Sequence, residues 1–99
     1  MEKLIFHPAA QAEIYDATVY YEGCRENLGR EFLDAVDSAL TLIASHLCAG
    51  RIIHSPYRHL LVKRFPYAII YRESDDVISV LAVMHFKRKP GYWKSRAIS

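Results

Sequence analysis

Ninety-nine residues with a hydrophobic fraction of 52% suffice for one domain, 1–99, with a modest core, and are too apolar for a disordered chain. No apolar run approaches the roughly 20 residues that span a bilayer, and MEKLIFHP lacks the long apolar segment of a secretory signal. Cytoplasmic localisation is therefore expected, with Cys24 and Cys48 as free thiols rather than a bridge. Residues 1–50 carry three basic and eight acidic side chains, a net −5, and residues 51–99 carry ten basic and three acidic, a net +7. That split fits a positive surface with a negatively charged partner, and equally fits acidic helix exteriors with a solubilising tail.

Lys3–His7 opens the chain as a short apolar strand. Pro8 suits a first helical turn, and Ala9–Glu22 continues with helix formers whose Ala10, Ile14, Ala17 and Tyr21 recur at helical spacing. Glu13 and Asp16 fall on another side, with no polar partner in view. After a break at Gly23–Asn27, a second helix from about Leu28 to His46 carries Leu28, Phe32, Ala35, Val36, Ala39, Leu40, Ile43 and Leu47 as its apolar stripe. The two form a helical hairpin that must lay its apolar side on a sheet. Arg51–Pro56 is expected as a loop, Tyr57–Lys63 as a strand, and Arg64–Pro66 as a bend.

Two longer apolar runs follow, Tyr67–Tyr71 and Val77–Met84, rich in Ile, Val and Tyr and joined by Arg72–Asp76. They read as adjacent antiparallel strands. Taking Ser74-Asp75 as the loop tip pairs Tyr71 with Ile78, Ile69 with Val80, Tyr67 with Ala82 and Phe65 with Met84, an apolar face for the helices. The opposite face then brings Arg64 against His85 at its end. The prediction is an α+β domain, a helical hairpin packed on a small antiparallel sheet, in the order β-α-α-β-β-β with a short C-terminal extension.

FHPAAQAEI, YYEGCRENLGREFLDAV, RFPYAIIYRE and VLAVMHFKRKPGYWKSR, in that order and at this length, resemble the RelE/ParE superfamily of toxins from type II toxin–antitoxin modules. The resemblance covers nearly the whole chain and lies closer to the ParE-like branch. It implies a toxin that inhibits DNA gyrase and is neutralised by a cognate antitoxin, whose acidic tail wraps it with a helix in an apolar groove and often a strand on a sheet edge. The RelE-like alternative is a ribosome-dependent endoribonuclease that cleaves mRNA. That branch carries two lysines on the strand before the hairpin, an arginine after the hairpin's first tyrosine, another at the end of the last strand, and a C-terminal tyrosine. Here His59, Leu61 and Ala68 stand at the first three positions, and only Arg88 (or His85) and Tyr92 match the rest. A third reading is a non-toxic remnant that only binds an antitoxin.

The target-binding candidates are Arg64, His85, Lys87, Arg88, Tyr92 and Trp93, a basic and aromatic corner that could grip an acidic surface or a phosphate. The bland alternatives are a solvated strand end, and Tyr92 or Trp93 folded back on the core. On the RelE-like alternative, Arg64, His85, Arg88 and Tyr92 would supply cations and proton transfer. The five histidines show no metal-ligand spacing, so no metal is expected, and neither a cofactor nor a small-molecule substrate.

Overall fold

The computed structural model describes residues 3–97. Its elements are β1 (Lys3–Phe6), α1 (Pro8–Cys24), α2 (Leu28–Ser45), β2 (Arg51–His54), β3 (Tyr57–Leu61), β4 (Tyr67–Ser74) and β5 (Val77–His85). A 3₁₀ turn at Leu47–Ala49 leads into β2, and a 3₁₀ helix at Tyr92–Ala97 closes the described chain. The α+β architecture is as expected, with two refinements. Arg51–His54 is a fifth strand rather than loop, and β1 runs parallel to β5, so the sheet is mixed, in the order β1-β5-β4-β3-β2. Parallel neighbours need a long crossover. The helical hairpin carries the chain from β1 to the far edge, and the meander β2 to β5 returns it. All four residues of β2 are exposed, so no burial pattern marks the strand in the sequence.

Local chemistry explains each boundary. His7 caps α1, its Nδ1 accepting from the Ala9 N–H at 3.0 Å, and Pro8 takes a position whose missing N–H costs nothing. At the helix link, Asn27 adopts φ +69° and its side chain makes no cap. Glu22 supplies the cap instead, accepting from the backbone N–H of Asn27 and of Gly29, both at 3.0 Å. Gly29 is required because a Cβ there would stand 2.7 Å from the Thr18 carbonyl. Val62 N–H to the Tyr67 carbonyl, at 2.9 Å, closes a β3–β4 hairpin where a bend was expected.

The predicted stripes are buried: Ala10 and Ala17 on α1, and Phe32, Val36, Ala39, Leu40 and Ile43 on α2. They meet Ile69, Tyr71, Ile78, Val80 and Val83 from the sheet. Tyr21, Phe32, Phe65 and Tyr67 pack as an aromatic cluster with ring centroids 4.9–6.2 Å apart, edge-to-face except for the tilted Tyr21–Phe32 pair, fastening the hairpin to the β3–β4 turn. The Tyr71 hydroxyl, fully inside, donates to the Leu47 carbonyl at 2.8 Å and accepts from Gly50 N–H at 2.9 Å.

The β4–β5 register differs from the expectation. The loop tip is Asp75-Asp76, at φ +52° and +64°, not Ser74-Asp75. A two-residue turn with both φ positive matches strand twist, and aspartate tolerates that region. Tyr71 therefore pairs with Val80 rather than Ile78. Beyond that pair the register shifts again, because Ile70 faces Ala82 and Leu81 is an extra residue. This bulge reverses the alternation. Ile78 and Val80 face the helices before it, and Val83 after it, while Leu81, Ala82 and Met84 belong to the opposite face. The predicted inner pairs Ile69–Val80, Tyr67–Ala82 and Phe65–Met84 do not form, and Ile69 faces Val83. Tyr67 faces His85.

Candidate functional site

The bulge has a polar consequence. β1 pairs with β5 only through Val80, so from Leu81 onward this edge of β5 has no strand neighbour. Backbone groups there need other partners. The Val83 N–H donates to Glu13 Oε1 at 3.0 Å, and the Leu81 carbonyl accepts from Arg96 Nη1 at 3.0 Å. Glu13 also receives a bidentate pair from Arg96, at 3.0 and 3.0 Å, and the Tyr92 hydroxyl at 2.6 Å. Arg88 approaches the same carboxylate at 3.9 Å and lies over the Tyr92 ring at 4.0 Å, with Arg96 4.9 Å from that ring's centre. Glu13 was expected to have no polar partner, and it is the hub of the C-terminal segment. Periodicity could not reveal this, because three of its partners lie 70 to 83 residues away.

Burial, and then the bond to Glu13, push the Tyr92 hydroxyl well above the ordinary tyrosine range. Bonding to Glu13 raises Arg96. Tyr92 is therefore held as a protonated donor and Arg96 as a fixed cation. Trp93, 3% exposed, anchors the segment on the outer face of the sheet against Tyr57, ring centroids 5.2 Å apart, with Ile70, Leu81 and Ala82 around it.

These contacts place each candidate. Arg64, in the β3–β4 turn at φ +74°, reaches Glu31 on α2 at 2.8 Å. That bond, with a second from Arg25, lowers the Glu31 carboxyl below its usual range. His85 packs edge-on against Tyr67, centroids 5.0 Å apart, and its Nδ1 accepts from Lys87 N–H. Arg64 and His85 are thus not cross-strand neighbours, which corrects the expected pairing. The bulge turned His85 away, and the turn gave Arg64 an acid on α2. They line different clefts. His85 and Arg88 do come together, in a cleft of about 200 Å³ shared with Glu13, Asp16, Tyr20 and Tyr67. Trp93 is too buried to touch a target, a correction to its expected role. Lys63, Lys87 and Lys89 are exposed at this end of the sheet, without a carboxylate within salt-bridge distance among the described residues.

On the outer face Ala68 is 1% exposed, and Tyr57, Ile70, Leu81, Ala82 and Trp93 form an apolar cluster, with Arg72 and Arg96 beside it. Among the described residues no group of His, Cys, Asp and Glu could hold a metal ion, and no helix is long and apolar enough to cross a membrane. Cys24 and Cys48 are free and exposed.

A second feature lies between α2 and β3, a cleft of about 460 Å³ floored by Ala35, Ala39, Leu42, Leu60 and Leu61. Leu42 and Leu61 are 44% and 56% exposed. Glu31 and Asp34 stand on one rim, and Lys63 and Arg64 on the other.

Residues 4–90 match the family model of the ParE toxin of the type II toxin–antitoxin system, parDE. Toxin ParE2 of Mycobacterium tuberculosis, from strains CDC 1551 / Oshkosh and ATCC 25618 / H37Rv, is 27% identical over 89 residues, 89% of this chain and 85% of that protein. A solved chain of the chromosomal ParDE TA system from P. aeruginosa superposes with a TM-score of 0.74 at 18% identity, covering 86% of this chain and 96% of that one. At that identity the likeness is one of fold. With the family model spanning most of the described residues, the chain belongs to the ParE family of type II toxins.

Proposed function

We propose that this ParE-family toxin inhibits DNA gyrase by protein–protein contact in the cytoplasm, through the cationic end of its sheet. Lys63, Lys87 and Lys89, with Arg64, His85, Arg88 and Tyr92 behind them, would form the contact surface. The observation that carries this reading is the clamped C-terminal segment. Glu13 and Trp93 fix it, so the exposed lysines on either side of Arg88 are held near the β3–β4 turn rather than on a free tail. A fixed patch loses little entropy on binding, and its charge would steer an acidic partner. His59, Leu61 and Ala68, at positions where the ribonuclease branch carries cations, argue against RNA cleavage.

A cognate antitoxin is the partner that family membership implies. Its place would be the α2–β3 cleft, where Leu42 and Leu61 could receive the apolar side of a helix and Lys63 and Arg64 an acidic residue. The outer strand β2, with Ile52 and Ile53 exposed, offers an edge for a further strand.

The test is supercoiling of relaxed plasmid by gyrase with increasing toxin. Inhibition by the native chain, lost in the Lys87→Glu/Lys89→Glu double variant, supports the reading if antitoxin affinity stays within about tenfold. Unimpaired supercoiling, or cleavage of translated mRNA in primer extension, overturns it.

A further inference from the structure

The cationic end of the sheet carries a large apolar side chain in the open. Phe86, the residue after β5, is 51% exposed. In the chain it stands between His85 and the run Lys87-Arg88-Lys89. Its N–H donates to the Pro66 carbonyl at 2.9 Å, one step beyond the Tyr67–His85 pair, which ties it to the β3–β4 turn that bears Lys63 and Arg64. Arg88 N–H donates to the His85 carbonyl at 3.0 Å, making Phe86 and Lys87 the two central residues of a closed turn. Lys87 N–H donates to His85 Nδ1, also at 3.0 Å. The backbone under the ring is therefore fixed, yet no other ring and no guanidinium packs on Phe86 among the described residues. The aromatic candidates that follow it are engaged within the molecule. Tyr92 donates to Glu13 with Arg88 over its ring, and Trp93 is 3% exposed. Tyr15 and Tyr20, the other exposed rings, stand on α1.

We infer that Phe86 is the apolar anchor of the target contact, its ring seated in an apolar pocket rimmed by carboxylates on the partner protein. This rests on the reading of that end of the sheet as the gyrase contact, and it names the residue from which the contact draws its affinity. Isolated apolar side chains on a surface are ordinary. Phe86 is set apart by its fixed turn and by the cations on both sides of it. Lysines at an exposed rim steer an acidic partner and set the rate of approach, while each exposed charge pair adds little to affinity. Aromatic side chains among near-neutral neighbours supply most of the binding energy of an interface. A ring on a backbone already closed by three hydrogen bonds loses little entropy on docking. Single-stranded nucleic acid fits this end less well. Successive bases need successive exposed rings, and here Tyr92 and Trp93 are held by the clamp.

The experiment measures binding of purified gyrase to the immobilised full chain, together with inhibition of supercoiling, for the native toxin, Phe86→Ala, Phe86→Leu and the Lys87→Glu/Lys89→Glu variant. Phe86→Ala should weaken binding and inhibition about thirtyfold, and Phe86→Leu about fivefold, with the urea midpoint of both unchanged because the ring is exposed. Salt separates the two kinds of contact. From about 50 to about 200 mM salt, the ratio of native to Phe86→Ala affinity should hold, while the ratio of native to lysine-variant affinity should shrink. Phe86→Leu serves as the readout if Phe86→Ala fails to fold. If the native chain inhibits gyrase and folded Phe86 variants match it within about twofold, the anchor is wrong and the gyrase reading stands. A Phe86→Ala effect that fades with salt in step with the lysine variant also overturns it. Binding of a single-stranded oligothymidylate that is lost in Phe86→Ala would make the ring a stacking platform instead. A native chain that neither binds nor inhibits gyrase removes both the reading and the anchor.

Discussion

The two faces of the sheet are held by different means. The inner face is closed by 35 helical residues of a hairpin, whose stripe fills a core running from Ala10 to Val83. The outer face is covered in part by the short C-terminal segment, fixed by one buried tryptophan and one carboxylate. Apolar burial is roughly proportional to area, so the inner face has many redundant contributors. The outer cover depends on a few directional bonds. A change inside should therefore unfold the domain, and a change at the clamp should release a part of it.

Trp93 is the protein's single tryptophan and sits in the outer cover, so its emission reports that region while far-UV circular dichroism reports the whole. Phe32→Asp or Val80→Asp should abolish both signals, because burying an unpaired charge costs several kcal/mol against a total stability of about 5–15 kcal/mol. A folded variant would mean that the inner core is misassigned. Glu13→Ala should cost about 3 kcal/mol, as it strands Arg96, the Tyr92 hydroxyl and the Val83 N–H. Trp93 emission should shift to the red with helical signal retained. Simultaneous loss of both signals would make the two faces one cooperative unit and end the distinction between them. Tyr71→Phe, which removes bonds to Leu47 and Gly50, should lower stability by about 1–2 kcal/mol in urea denaturation with both signals falling together.

Smaller effects sharpen the contrast. Burial first, then the nearby Arg51, lowers the pKa of His59, whose neighbours across the strands include Ile70 of the outer cluster. The folded chain thus takes up a proton less readily than the unfolded one. This contribution to stability is full above pH 6.5, the ordinary histidine value, and declines as pH falls through the lower folded value. Urea midpoints at pH 7.5 and 5 should show the decline, and His59→Gln should reduce it. Cys24→Ser with Cys48→Ser should leave growth inhibition unchanged, since both thiols are exposed and free.

The inner face was legible in the sequence because helical spacing is a local property. Ala10, Ala17, Phe32, Val36 and Ile43 declared their burial without knowledge of their partners. The outer face was not legible, for three physical reasons. β2 is exposed throughout and so has no alternation to detect. The Asp75-Asp76 turn and the extra residue Leu81 each moved the register, and a bulge leaves no mark in an apolar run such as VISVLAVMH. Glu13 meets Tyr92 and Arg96 only through tertiary closure. Of the proposed contact residues, Arg88 lies over the Tyr92 ring, a contact between near neighbours in the chain for which no strand register is needed. The sequence misjudged Arg64 with His85, whose meeting depended on strand parity.

Leu81 makes β5 two half-strands of opposite handedness in what they show to each side. The half before it is read by β1 and the helices, and the half after it aims His85 at Tyr67 and starts the path toward Lys87 and Lys89. Removing that single residue would leave every other amino acid in place yet swap the upward and downward sets from Ala82 onward. The direction in which the toxin's cations point is thus written in a count of residues rather than in their identity.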